Sequence, residues 1–278
     1  MGLDVYVGTL TRYYSGEWQT IIDQMFQPEQ QESDNKAFLD DIVQIAVETS
    51  EKLTPETRTT GFFNKITEKL FGKLNKHGSV RRPPIQKLDK DSLHQEVLAW
   101  RAKLSRRLRR RLSEPLDWQE GDDAPYFTDK PAWSCYGDLL LWAAYDENPD
   151  LTRPLEHVKD WSQDPAFQRI HSRNQSDSYQ HLMCGAELWL PIDFSFIFET
   201  KMPAGNSVLA GSTFCLEREL RTLNKRTWNA NQETLDEWRK EGDAYSESLE
   251  SGACFAFSIF YDLASKAKEN KLVMILDY

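Results

Sequence analysis

The chain has 278 residues, 40% of them hydrophobic and 12% aromatic, and carries a formal net charge of −10. So much apolar and aromatic side chain excludes a disordered polypeptide, which lacks the material for a core. No stretch approaches the roughly 18 to 20 consecutive apolar residues of a membrane-spanning helix, so integral membrane insertion is excluded as well.

The first segment, MGLDVYVG, alternates as L-x-V-x-V and predicts a strand over residues 3–10. It has neither the cationic region and apolar block of a secretory signal nor the Ser or Thr of a myristoylation motif, whose place Tyr6 occupies, and a cytoplasmic protein is expected. Helical periodicity follows at 17–26 and 37–49, with a polar loop between, and a third helix is expected at 62–74. HGSVRRPPIQ breaks any helix. Residues 89–112 predict a long helix with Asp91 or Ser92 as its cap. An acidic stretch punctuated by Pro and Gly, 114–132, reads as a loop. Helices are expected at 135–145 and 154–161. ELWLPIDFSFIFET then reads as one strand with Leu188, Leu190, Ile192, Phe194, Phe196 and Phe198 on a single face, and SVLAG returns as the second arm of a hairpin. CLERELRTLNKRTW and 233–250 look helical, and 253–268 forms an apolar-faced helix. The closing KLVMILDY is apolar without alternation, as in a strand covered on both faces. The economical assembly is a single α+β domain over 1–278. Its small central sheet comes from the N-terminal strand, a hairpin near 187–210 and the C-terminal strand, and residues 17–113 form a mainly helical insertion.

Charge is unevenly spread. Residues 81–113 hold eleven Lys or Arg against three acids, while 1–57 hold three against eleven and 114–164 three against thirteen. Leu98, just before WRAKLSRRLRRRLSE, and Ala102, Ser105, Leu108 and Leu112 within it mark an inward stripe, with seven cations from Arg101 to Arg111 around it. Those cations suit a network with the chain's own acidic segments, or an acidic protein or anionic membrane surface. Nucleic acid is disfavoured: apart from Trp100 no aromatic is interleaved for base stacking, and the whole-molecule charge opposes phosphate.

The four cysteines, Cys135, Cys184, Cys215 and Cys254, include no C-x-x-C pair and are expected to be free thiols. No phosphate-cradling glycine loop, nucleophile elbow, H-E-x-x-H or metal-spaced Cys/His set occurs, so no cofactor and no metal is assigned. His171 and His181 flank Asp177 and could in principle collect a metal, but a loop with surface histidines is far the commoner origin of such a spacing. Asp4, Asp193 and Asp277 fall at strand ends; if their strands are neighbours, the carboxylates converge as acid and base candidates, and otherwise they face solvent. WSCYGD brings Ser134, Cys135 and Asp138 together, but no histidine lies near in sequence to act as base. Arg12, Tyr13, Tyr14 and Trp18 in LTRYYSGEW, and Arg226 and Trp228 in LNKRTW, are the binding candidates, since Arg and Trp are the residue types enriched at hot spots. Gly16 suits the turn out of the first segment, with one tyrosine and Trp18 packed beneath it.

MGLDVYVG-x-LTRYY, ELWLP-x-DF-x-F-x-FE and EREL-x-x-LN-x-x-TW resemble the motifs of an uncharacterised group of bacterial cytosolic proteins with no established activity. The similarity touches the first 18 residues and 186–228, and implies a bacterial source. Two functions follow as expectations. One is a non-enzymatic protein-binding protein of the toxin-neutralising, immunity type, whose acidic surface draws a basic partner. The other is a hydrolase or transferase with a cleft near Asp4, Arg12 and Asp193.

Overall fold

The computed structural model describes residues 3–21, 24, 89–173, 176–242 and 248–277. The chain divides into two compact units, one formed by Met1–Thr20 with Arg81–Tyr278 and the other by Ile21–Val80. All the elements below belong to the first. The helices expected at 37–49 and 62–74 lie outside the described residues, as does most of 17–26, whose first four residues are not helical.

The described strands form a six-stranded sheet in the order β2-β1-β6-β3-β5-β4, and the fold is α+β. β1 (Asp4–Gly8) and β6 (Val273–Asp277) pair antiparallel, Asp4 opposite Asp277. β3 (Leu188–Leu190) is antiparallel to β6 and parallel to β5 (Ser207–Ser212), which turns back from β4 (Phe198–Lys201) as the expected hairpin. β1 ends earlier than its alternation suggests. At Gly8 a Cβ would lie 2.2 Å from the Tyr6 hydroxyl, and the next residue, Thr9, caps a helix, α1 (Leu10–Ser15). The opening motif is therefore helical rather than extended.

ELWLPIDFSFIFET is two strands, not one. Pro191 supplies no N–H, β3 stops before it, and Ile192 N–H bonds back to the Leu190 carbonyl in a tight turn. The alternation was nonetheless informative: Leu188, Leu190, Phe194 and Phe198 are buried in one apolar cluster, with Ile192 and Phe196 packed against it. The acidic stretch 114–132 is not simply a loop. It contributes β2 (Phe127–Asp129) beside β1 and buries Leu116, Trp118 and Glu120.

α2 (Lys90–Leu108) begins at Asp89, whose carboxylate accepts the Ser92 N–H and hydroxyl, so the cap lies two or three residues before the expected one. Its Val97, Leu104 and Leu108 share a cluster with Tyr6, Leu188, Leu190, Val273 and Ile275 on one face of the sheet. At β4, Trp100 Nε1 donates to the Lys201 carbonyl (2.6 Å) and Arg107 to that of Glu199 (2.9 Å). The other face carries α3 (Trp133–Glu147), α6 (Thr213–Arg226) and α8 (Leu249–Glu269). Trp189 on β3 meets Phe260 of α8 edge-on at 6.4 Å, and α3 buries every residue from Cys135 to Tyr145. Each large side chain removed from water in this way is worth about 1.5–3 kcal/mol, more than any exposed ion pair at about 0–1 kcal/mol. Apolar layers against the sheet, not charge, set the architecture.

Smaller helices complete it: α4 (Pro165–Arg173), α5 (Gln180–Met183) and α7 (Gln232–Glu241). Residues 154–160 are not helical, contrary to expectation, and only a short 3-10 turn, Trp161–Gln163, follows them. The segment read as one helix over 233–250 contains α7 and the start of α8. Among the described residues no helix is long and apolar enough to cross a membrane. All four cysteines are free thiols.

Candidate functional site

LTRYYSGEW is built inward. The Thr9 hydroxyl accepts the Arg12 N–H, and Gly16 closes α1 in the left-handed region at φ 73°. The buried Glu120 carboxylate receives the Leu10 and Thr11 N–H groups (3.0 Å each), the Thr11 hydroxyl (2.8 Å) and Trp118 Nε1 (2.7 Å). A negative charge at the open N–H groups of a helix start is favourable, and burial removes water as a competitor. Arg12 donates to the carbonyls of Asp122 (2.7 Å) and Ala124 and stacks over Tyr126. Tyr13 donates to Asp277 (3.0 Å), and Trp18 donates to the Tyr13 carbonyl (3.3 Å) while packing 4.9 Å from the Tyr6 ring. Tyr14 packs edge-on to Tyr13, and burial pushes its phenol up. The four candidates thus lie together, and Arg12, with the Leu10 and Thr11 groups on Glu120, clasps the start of the chain to residues 118–126.

The three strand-end carboxylates do not converge. Asp4 and Asp277 face each other across β1 and β6. Because Trp189 pairs with Met274, β3 leaves past the other end of β6, and Asp193 lies there, held by Arg218 through two bonds of 2.8 and 2.9 Å. The Arg218 hydrogen bonds hold the Asp193 carboxyl below its ordinary range.

Arg226 and Trp228 are also engaged by neighbouring side chains, Arg226 while exposed and Trp228 while half-buried. Arg226 reaches Asp146 (3.1 Å), Ser178 and Tyr179. Trp228 stacks on Trp142 with centroids 5.2 Å apart, meets Trp238 and Phe257 edge-on, and donates to Glu250. Arg153 covers Trp142 at 3.5 Å.

WSCYGD lies on α3, and the structure supplies the histidine that sequence proximity did not. His157 Nδ1 meets both oxygens of the fully buried Asp138 at 2.9 and 3.0 Å. Burial raises the Asp138 carboxyl to about 6, with His157 partly opposing. No hydroxyl or thiol hydrogen-bonds to His157 among the described residues, so the pair has no nucleophile to activate. A buried acid in an apolar helix was the signal that something must answer it. His181 is buried, accepts the Ser212 N–H on Nδ1, and is pushed down to about 4 by burial. Among the described residues no group of three or more His, Cys, Asp or Glu side chains is placed to hold a metal ion.

A polar cleft of about 440 Å³ opens between α6, α7 and α8. Most of its charges answer one another: Arg221 and Lys268 on the buried Glu217, and Lys266 and Arg239 on Asp262, with Arg239 also on Asp129. Burial alone would raise the Asp262 carboxyl, but its two cations more than offset that and hold it low. Five of the charged side chains lining the cleft, Glu217, Arg221, Arg239, Asp262 and Lys266, are thus paired within it, as is Lys268, while Asp236 and Glu269 line it without an ion-pair partner among the described residues.

Two surfaces differ. On α7, Glu233, Asp236, Glu237 and Glu241 are exposed, with Lys240 beside them and without ion-pair partners among the described residues. On α2 and the turn that follows, Lys103, Arg106, Arg109 and Arg110 are likewise exposed and unpaired there, while Arg101, Arg107 and Arg111 lie against Trp118, Phe198 and Phe196. Comparison of the chain with family models, with curated proteins and with solved structures finds no match.

Proposed function

We propose that this chain is a non-enzymatic bacterial protein-binding protein of the cytoplasm, of the immunity type that neutralises a toxin by holding it. The observation that carries the reading is α7, on which Glu233, Glu237 and Glu241 are exposed beside Lys240, with exposed Asp236 at the edge of the cleft, on a chain of net charge −10. Such a field attracts a cationic partner from a distance and speeds its association. The enzymatic alternative has less support. Arg12 spends its guanidinium on two backbone carbonyls, Asp193 is held by Arg218, and Asp193 and Asp4 lie at opposite ends of the sheet.

Affinity purification of the tagged chain from its native cell, at low and moderate salt and read by mass spectrometry, tests the proposal. One basic protein in stoichiometric amount is expected, weakened by salt and lost from the Glu233→Lys/Glu237→Lys variant. Capture of no such protein, or capture indifferent to that variant, overturns the reading.

A further inference from the structure

The cations of α2 fall into two sets with different fates. Arg101 donates to the Trp118 carbonyl (2.6 Å) and lies over that ring. Arg107 takes the Glu199 carbonyl and covers Phe198, and Arg111 sits 3.7 Å from the Phe196 ring centre. These three are consumed by the fold. Lys103, Arg106, Arg109 and Arg110 are exposed, and no carboxylate pairs with them among the described residues. Lys103, Arg106 and Arg109 follow one another at three-residue steps, so they are neighbours on one side of the helix and its C-cap, and Arg110 continues the row into the next turn. Neighbouring like charges repel. The helix dipole favours cations only within the last turn, which does not reach Lys103.

We infer that this outer face of α2 is a docking surface for a short acidic polypeptide segment of a partner protein. The row spans about 10 Å along the helix, the reach of three or four extended residues. Three of its four cations are arginines, whose planar forks match carboxylates in two-point contacts. A continuing phosphate backbone fits less well. The aromatics on this side are already engaged, Trp100 against Trp118 at 5.8 Å, Phe198 under Arg107 and Phe196 under Arg111, which leaves little for bases to stack on. The surface is distinct from the acidic face of α7 and does not depend on the partner proposed for that face.

The test is fluorescence anisotropy of a labelled deca-glutamate peptide with the full chain at about 50 mM and about 300 mM salt, beside a labelled ten-nucleotide oligothymidine and vesicles containing phosphatidylserine. Saturable peptide binding is expected, weakened about tenfold or more by the higher salt and by Arg106→Glu/Arg110→Glu. The melting temperature of that variant should stay unchanged, and Glu233→Lys/Glu237→Lys should bind the peptide as the native chain does. Lys103→Gln/Arg109→Gln, which adds no opposite charge, should weaken the peptide by a smaller factor. Absence of peptide binding overturns the inference, as does tighter binding to oligothymidine or vesicles. A sharp fall in melting temperature of Arg106→Glu/Arg110→Glu without peptide binding overturns it too, because the cations would then belong to the fold.

Discussion

Two arginine-bearing regions of this molecule look alike as sequence and opposite as structure. LTRYYSGEW places one arginine among aromatics, and the α2 segment places seven cations among leucines. In the first, two guanidinium nitrogens of Arg12 are answered by carbonyls, and the Leu10 and Thr11 N–H groups by buried Glu120. In the second, a row of cations points outward without a carboxylate partner among the described residues. A conspicuous motif can thus be a clasp, while a repetitive charged stretch leaves part of its charge open to solvent. Residue type alone does not separate the two; what separates them is whether backbone carbonyls lie within reach.

The comparison breaks most readily at Glu120. Replacing it with Ala leaves two backbone N–H groups, the Thr11 hydroxyl and the Trp118 indole without their acceptor in a buried place. A loss of about 3–5 kcal/mol by urea denaturation is expected, and less than about 1 kcal/mol would show that the clasp is not where the stability resides.

A second consumed carboxylate sharpens the contrast through pH. Glu219 accepts the N–H groups of His181 and Leu182, yet burial dominates and pushes it up to about 8. Its folded value lies above its ordinary one of 4.5, so its contribution to stability is complete below that pH and is lost as pH rises through about 8. Glu219→Gln has nothing to ionise and should gain on the native chain between about pH 5 and about pH 8.5, by on the order of 1–3 kcal/mol. Parallel stability curves for the two proteins would contradict this.

The smallest effects compare the arginines directly. Arg12→Ala gives up two carbonyl contacts and the Tyr126 stack and should cost about 1–2 kcal/mol. Arg106→Ala and Arg110→Ala should each stay within about 0.5 kcal/mol of the native chain. Equal costs at the three positions would erase the distinction between clasp and outward row.

Legibility in the sequence followed the strength of the apolar pattern. β1, β6, α3 and α8 were readable because their buried faces are long and regular. β2 was not, since three residues beside an edge show no period and the surrounding acids suggest a solvated loop. Glu120 was hidden because Leu10 and Thr11, whose N–H groups it accepts, lie 110 and 109 residues away in the chain. The break at Pro191 was signalled by the missing N–H, but the alternation continues across it because the irregular segment presents the same side chains to the same cluster. Among the site candidates, proximity in sequence misled at Asp138, whose partner is His157, 19 positions on. Asp193 and Asp4 end up at opposite ends of the sheet, the non-convergent alternative that the sequence left open.

The two bonds from α2 to β4 have a consequence beyond holding a helix in place. β4 is the last strand of its row, and Glu199 and Lys201 are the alternate residues whose carbonyls point away from β5. An open strand of this kind is a template on which another chain can extend the sheet. With Trp100 and Arg107 occupying those two oxygens, the sheet is stoppered on that side. The same helix that holds a row of cations open to solvent denies a neighbouring chain a strand to grow on, and so leaves side chains rather than backbone exposed at this face.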